Sequence, residues 1–210
     1  VKECKIHMKK VFAGVIVVVA IALVMIFFKP DEPIEVIEEA RNGIVENLKV
    51  IDTIQTNNGM MVYSYGETSD LKNDMYFVDE VKKSMTGYSW LGGGGHVDES
   101  MQEDNDFIVS LQLLNEMQNI IPSFLGIIKD RAIQKVEVST NKGTVAADTY
   151  EVNNELFFVG HFDDPVAEMG LFQLTIVYED GLSWIFAIPN EDMQRLQEGY
   201  AFYLKAEDFS

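Results

Sequence analysis

The chain has 210 residues, with 16 Lys and Arg against 34 Asp and Glu, so its formal net charge at pH 7 is −18. This acidic balance argues against nucleic acid as a partner, because polyanions bind faces rich in Lys and Arg. The one cysteine of this sequence, Cys4, excludes a disulfide framework and a cysteine-ligated zinc site.

The charge divides the chain into three parts. Residues 1–10 carry a net charge of +3, residues 11–28 carry no charge, and residues 29–210 carry a net charge of −21. A helix of 18 residues is about 27 Å long, close to the roughly 30 Å of a bilayer core. We therefore expect a basic cytoplasmic tail over 1–10 and a transmembrane signal anchor over 11–28. The four lysines before the apolar segment predict that the N-terminus is cytoplasmic and the remainder extracellular.

Two alternatives concern this apolar segment. A cleaved signal peptide is conceivable because Ala20 and Ala22 have the small-x-small spacing of a cleavage site. Six apolar residues follow them, however, and Phe27 and Phe28 end the segment without a small residue, which favours an uncleaved anchor. Translation is predicted to start at Met8, because Met8-Lys9-Lys10 followed by an apolar run is a complete export signal.

Residues 29–45 are predicted to form a short helix or linker. Pro33 suits the first turn of a helix, and the spacing of Ile34, Ile37 and Ala40 predicts an amphipathic one. Asn42-Gly43 is predicted to end it.

Residues 46–210 are predicted to be one extracytoplasmic β domain. Short apolar runs are separated by turn signals such as Asn57-Asn58-Gly59 and Asn153-Asn154. Apolar and polar residues alternate over 172–178, and 143–152 is predicted to be a single strand. About nine strands at this spacing are typical of an antiparallel sandwich or an open barrel.

One more helix is expected near the end of the domain. Pro189-Asn190 reads as its start, with Asn190 as the cap. Met193, Leu196 and Tyr200 give it an apolar side, and Gly199 is predicted to end it.

A run of four glycines, Gly92 to Gly95, follows the strand predicted over 84–91. A phosphate-binding loop would need Lys and Ser or Thr after the last glycine, whereas His96 and acidic residues follow here. The run is predicted to be a flexible or bulged strand end. The alternative is a place where backbone approaches a ligand or partner closely, with Trp90, Gly94 and His96 as candidate contacts.

An extracytoplasmic hydrolase is an alternative function. His96 and His161 are the histidines of the outer body, and either could act as a base beside a nearby Asp such as Asp163 or Asp164. The sequence contains neither G-x-S-x-G nor H-E-x-x-H, and nothing in it indicates a cofactor. A non-catalytic domain is therefore favoured.

Two groups of acidic residues are weak candidates for a metal site, which would make the domain a weak calcium-binding module. The groups are Asp98, Glu99, Glu103 and Asp104, and the pair Asp163 and Asp164. Calcium prefers several oxygens that converge in one loop. Because the Asp-x-Asp-x-Asp-Gly spacing is absent and residues 29–210 contain 33 acidic residues, solvated loops are the favoured interpretation.

Several short motifs resemble those of uncharacterised, single-span extracytoplasmic proteins of bacilli. The motifs are Thr86 to Trp90 followed by Gly92 to His96, Leu125 to Lys129 leading into Val136-Glu137-Val138, Leu156-Phe157-Phe158, and the turn at Asp180-Gly181. The resemblance covers roughly residues 46–186 and departs from the group at Leu125, where an aromatic residue commonly stands. It implies no activity and no functional residues.

The resemblance and the residues together predict a membrane-tethered, non-catalytic β domain outside the cell. Its partners would be the membrane, through residues 11–28, and an envelope protein or cell-wall component. If translation starts at Met8, the exported body contains no cysteine, as is expected of a Gram-positive bacterium.

Overall fold

The computed structural model describes residue 19 and residues 32–42, 44–57, 59–68, 74–84, 87–97, 108–114, 121–130, 132–170 and 172–208. The predicted basic tail and, apart from Val19, the predicted anchor over 11–28 lie outside this part of the chain. Among the residues described, no helix combines the length and the apolar character that crossing a bilayer requires. The anchor therefore stays a prediction from the sequence.

The helix predicted after Pro33 is confirmed. Helix α1 (Pro33–Ala40) has proline in its first turn, where its missing N–H costs nothing. The Glu32 backbone N–H donates to Glu35 Oε2 at 2.9 Å, which satisfies one donor at the helix start. Ile37 is fully buried, so the apolar side of α1 packs on the sheet described next.

The fold is mainly β, as predicted, but the strands of the described part outnumber the nine or so expected. They are β1 (Val45–Gln55), β2 (Met60–Thr68), β3 (Asp74–Ser84), β4 (Gly87–Val97), β5 (Val109–Leu114), β6 (Ser123–Ile128), β7 (Ile133–Thr140), β8 (Gly143–Ala146), β9 (Asp148–Val152), β10 (Glu155–His161), β11 (Gln173–Tyr178), β12 (Ser183–Ala187) and β13 (Phe202–Leu204). Helix α2 (Asn190–Gln197) and two 3-10 turns, Val166–Glu168 and Ala206–Asp208, complete the described elements.

These strands form three sheets rather than an open barrel. Sheet A has the order β1-β2-β3-β4, sheet B the order β13-β5-β6-β10-β9, and sheet C the order β12-β11-β7-β8. All pairings are antiparallel. The hairpin predicted at Asn57-Asn58-Gly59 joins β1 and β2, with the Thr56 N–H donating to the Gly59 carbonyl at 3.0 Å.

Sheet B is the middle of three layers. Successive side chains of a strand point to opposite faces, and in β6 Leu125 and Ile127 pack towards sheet A while Phe124 and Ile128 pack towards sheet C. Every residue of β6 is buried, as expected of a strand covered on both faces. We call the two contacts the A/B interface and the B/C interface.

The strand predicted over 143–152 is two strands in different sheets. β8 pairs with β7 in sheet C, and β9 pairs with β10 in sheet B. The chain passes between the two sheets at Ala147, whose N–H donates to the Val136 carbonyl at 2.9 Å. An apolar pattern alone does not reveal such a change of sheet, because the backbone stays extended through it.

The helix predicted after Pro189 is confirmed as α2. Met193 and Leu196 are buried against the B/C interface. Tyr200, which was expected on the same side, is instead 58% exposed. Gly199 has a φ of 84°, in the left-handed region that ends helices, and it turns Tyr200 away from the apolar side.

Candidate functional site

The A/B interface contains a group of polar side chains centred on His161, at the end of β10. Ser123, at the start of β6, has its Oγ 2.7 Å from His161 Nδ1. The hydroxyl of Tyr63, from β2 of sheet A, contacts His161 Nε2. Tyr63 and Ser123 are fully buried and His161 is half-buried, so the group lies between the two sheets. We call these three residues the histidine cluster.

The hydrogen bonds of the histidine cluster run in one direction. Ser123 Oγ donates to the Ile121 carbonyl at 2.7 Å, so His161 Nδ1 must donate to Ser123 Oγ. In the neutral imidazole, His161 Nε2 is then the unprotonated nitrogen and accepts from the Tyr63 hydroxyl. Both ring nitrogens of the neutral imidazole are therefore satisfied.

Burial keeps these groups in their neutral forms. Burial lowers the pKa of His161, and the nearby carboxylate of Asp148 partly opposes that shift. Burial also raises the pKa of Tyr63, and Tyr150, Asp148 and Asp52 raise it further. Both shifts have the same physical cause, since a charged form inside the interface loses its hydration.

The histidine cluster has the residue types of a hydrolase but not the geometry of an active one. A serine nucleophile gives its proton to the base and needs a substrate carbonyl about 3 Å from its oxygen. Here Ser123 donates to a backbone carbonyl, and none of its surface is exposed. The group that orients the imidazole is Tyr63 and not Asp163 or Asp164, which were the expected candidates. The arrangement joins sheet A to sheet B.

The strands place the backbones of His96 and His161 far apart. His96 of β4 is paired through its backbone with Tyr76 of β3. The Tyr76 hydroxyl donates to Glu155, the first residue of β10, at 2.9 Å. His161 is the last residue of that strand, six positions further, or about 20 Å along an extended chain. The backbone of His96 therefore lies near the start of β10, whereas His161 ends that strand.

The candidates Trp90 and Gly94 meet at a buried ion pair. Asp79 of β3 is fully buried and accepts from Arg41 Nη2 at 2.8 Å and from Trp90 Nε1 at 2.8 Å. Arg41 Nη2 also donates to the Gly94 carbonyl at 3.2 Å, and its guanidinium lies 3.9 Å from the centre of the Phe77 ring. Burial raises the pKa of Asp79, while Arg41 and Trp90 oppose that rise by stabilising the carboxylate.

The glycine run has a packing role in this arrangement. A Cβ on Gly93 would overlap the Asp79 carboxylate, and one on Gly94 would overlap Leu114 of sheet B. The groups that lie close to these two glycines are thus the protein's own side chains. The predicted strand end is wrong, because Gly92 to Gly95 pair in regular register with β3 and the strand continues to Val97. A bulge occurs instead one residue earlier, at Leu91.

The acidic candidates for a metal site separate into two groups. Asp98, Glu99, Glu103 and Asp104 lie outside the described residues. Asp163 and Asp164 line a cleft of about 190 Å³ together with Lys142, whose Nζ lies 3.9 Å from Glu168 Oε2. Within the described ranges, no group of three or more His, Cys, Asp or Glu side chains could hold a metal ion.

The structure adds residues that the sequence analysis did not identify. Asp79 and Glu80 interrupt the apolar run of β3, and a charged pair inside a buried strand is costly enough to signal a special role. Ser123 and Tyr63 carry no local signal, since they lie 38 and 98 residues from His161 in the sequence. Comparisons with protein-family models, curated proteins and solved structures find no match to this chain.

Proposed function

We propose that this chain is a membrane-tethered extracytoplasmic protein whose β domain binds a partner or acts as an accessory protein at the cell envelope, without catalysis. The membrane part rests on the uncharged segment 11–28 and the lysines before it. Only four residues separate Phe28 from Pro33, a distance of at most about 18 Å in an extended chain. Since α1 is packed on sheet A, the tether would hold the domain close to the bilayer.

The observation that carries the non-catalytic part is the state of the histidine cluster. Both nitrogens of His161 are engaged, and the oxygen of Ser123 is closed to a substrate. The buried Arg41–Asp79 pair is likewise engaged on both sides. These polar groups hold layers together, which supports a structural domain that recognises its partner through its surface.

Location is tested by fractionating cells and treating protoplasts with a protease from outside. The proposal expects the full chain in the membrane fraction and residues 33–208 cleaved or released by the protease. Recovery of the intact chain in the cytosol, or complete protection from the protease, contradicts it.

A hydrolase remains the second candidate, because Ser123 and His161 are in hydrogen-bond contact at 2.7 Å. Hydrolysis of p-nitrophenyl acetate by the full chain tests it, with S123A as the variant and S89A as the matched control on an exposed serine. The proposal expects no difference among the three proteins. Activity that S123A abolishes and S89A retains favours the hydrolase.

A further inference from the structure

Helix α1 and sheet A form a unit with its own small core. They occupy consecutive positions of the chain, residues 33–97, and we call them the N-terminal unit. The buried apolar residues of this core are Ile37, Leu48, Val62, Phe77 and Val81. The Arg41–Asp79 ion pair lies on the same side of the sheet and ties the end of α1 to β3. These contacts do not involve sheet B, so they persist if the two sheets separate.

The N-terminal unit meets sheet B through an interface of the kind that joins separable bodies. Rings pack across it, with Tyr76 stacked on Phe157 at 5.3 Å between centroids and Tyr63 edge-on to Tyr150 at 5.8 Å. Hydrogen bonds surround the rings, as in interfaces between proteins, where tyrosine is enriched and the rim is polar. Tyr150 donates to Asp52 at 3.0 Å, and Asn153 donates to Asp74 at 2.8 Å.

Among the side chains that the structure describes at this interface, His161 is the group whose ordinary pKa lies nearest to neutrality. The groups that face it or its partner Tyr63 are Asp148 and Tyr150 from β9 and Asp52 from β1. Protonation of Nε2 removes the acceptor of the Tyr63 hydroxyl, which is fully buried and then needs another partner. It also places a charge between the sheets.

We propose that the N-terminal unit separates from sheet B as one body and that protonation of His161 promotes this separation. The separation is a local opening below the free energy of global unfolding, because the B/C interface stays packed. It exposes the rings of Tyr63, Tyr76 and Phe157. It does not depend on whether residues 11–28 cross a membrane.

The direction of the pH dependence follows from burial. In the docked form burial lowers the pKa of His161, whereas in the separated form the ring regains water and a pKa of about 6.5. The separated form therefore binds the proton at higher pH, so docking is strongest above about pH 6.5 and weakens as the pH falls below it. Glu80, on the same face of β3 as Tyr76, acts in the opposite direction, because burial raises its pKa.

Amide hydrogen exchange of the full chain in detergent micelles tests the proposal. Separation uncovers one face of sheet A, so the amides of β1–β4 exchange through fluctuations of the separated unit that docking suppresses, and their rates report the population of that form. After correction for intrinsic rates, the opening of β1–β4 is expected to rise about three- to tenfold between about pH 7.5 and pH 5.5, since one proton changes the equilibrium by at most tenfold per pH unit. Amides of β7 and β11, in the B/C interface, are expected to show no such change. Opening of all strands in a single step contradicts the proposal.

Two matched variants identify the titrating group. H161Q removes the imidazole from the interface and is expected to abolish the rise at low pH, leaving only the opposite effect of Glu80. H96Q makes the same substitution in the histidine of β4 and is expected to retain the rise. A rise that persists in H161Q, or that disappears in H96Q, overturns the assignment to His161.

Ring chemical shifts of the wild-type chain provide a test that needs no variant. The His161 imidazole is expected to titrate below about pH 6.5, in the range where β1–β4 begin to open. A His161 ring that titrates at or above that value, while β1–β4 remain protected, overturns the proposal.

Discussion

The two interfaces of sheet B differ in chemistry although the same strands line both. On the B/C side, the buried side chains of the described residues are aliphatic, phenylalanine or methionine, apart from Tyr178. On the A/B side, Tyr63 and Tyr76 are fully buried among apolar neighbours, and hydrogen bonds to Glu155 and His161 cross the gap. The apolar B/C interface resembles the core of a domain, whereas the A/B interface, with its buried tyrosines, resembles a docked surface.

A single strand can therefore belong to two different interfaces at once. In β10, Phe158 belongs to the B/C core and Phe157 to the A/B interface, and both are fully buried. Burial alone therefore does not reveal how much a residue stabilises the whole molecule. What matters is whether the layers on either side of it can separate.

The largest expected effect comes from replacing these neighbouring phenylalanines. F158A should lower the free energy of global unfolding by about 3–5 kcal/mol, because it leaves a cavity that the B/C core cannot close. F157A should cost no more than about half as much and should raise hydrogen exchange mainly in β1–β4. Denaturant unfolding and hydrogen exchange measure both. Equal costs with identical exchange patterns would contradict the distinction between the interfaces.

The next effect tests whether the N-terminal unit has a core of its own. R41M leaves the buried carboxylate of Asp79 without its cation and should lower the free energy of unfolding by about 3 kcal/mol. Protection of amides from hydrogen exchange should be lost in α1 and β4. The double variant R41M/D79N should recover part of this loss, because both charges are then absent. Denaturant unfolding with hydrogen exchange provides the measurement. A loss spread evenly over β5–β13 would argue against a separate core.

A smaller effect concerns a single hydrogen bond across the A/B interface. Y76F removes the hydroxyl that donates to Glu155 Oε2 and keeps the ring on Phe157, so it should cost about 1 kcal/mol of docking. Y65F is the control on the same sheet, since it removes the hydroxyl of the half-buried Tyr65 and keeps its ring stacked on Tyr76. Exchange rates in β2 and β3 measure the difference. If the two variants behave alike, the bond to Glu155 contributes nothing.

The smallest expected effect is at the exposed edge of the A/B interface. Asn153 has a φ of 49° and donates to Asp74 across the interface. N153G keeps this backbone conformation and removes only the exposed bond, so we expect a change below about 0.5 kcal/mol. N153A adds the strain of a left-handed alanine and should cost about 1 kcal/mol. Thermal unfolding separates the two, and a larger loss in N153G than in N153A would contradict this order.

Local signals were sufficient for much of the secondary structure. Pro33 and the spacing of Ile34 and Ile37 predicted α1, and Asn57-Asn58-Gly59 predicted the first hairpin. These patterns act through neighbouring residues, because turn chemistry and side-chain period are properties of a few consecutive positions. The acidic charge and the uncharged segment 11–28 are likewise properties of the sequence alone.

Only the tertiary structure decided how the strands are layered and which polar residues meet. An extended chain changes sheets at Ala147 without any change in its pattern, and Asp79 is tolerated in a buried strand because Arg41 reaches it from 38 residues away. Ser123, His161 and Tyr63 come together from three strands in the same way. Such contacts depend on how distant segments share a buried space, which no local pattern of residues records.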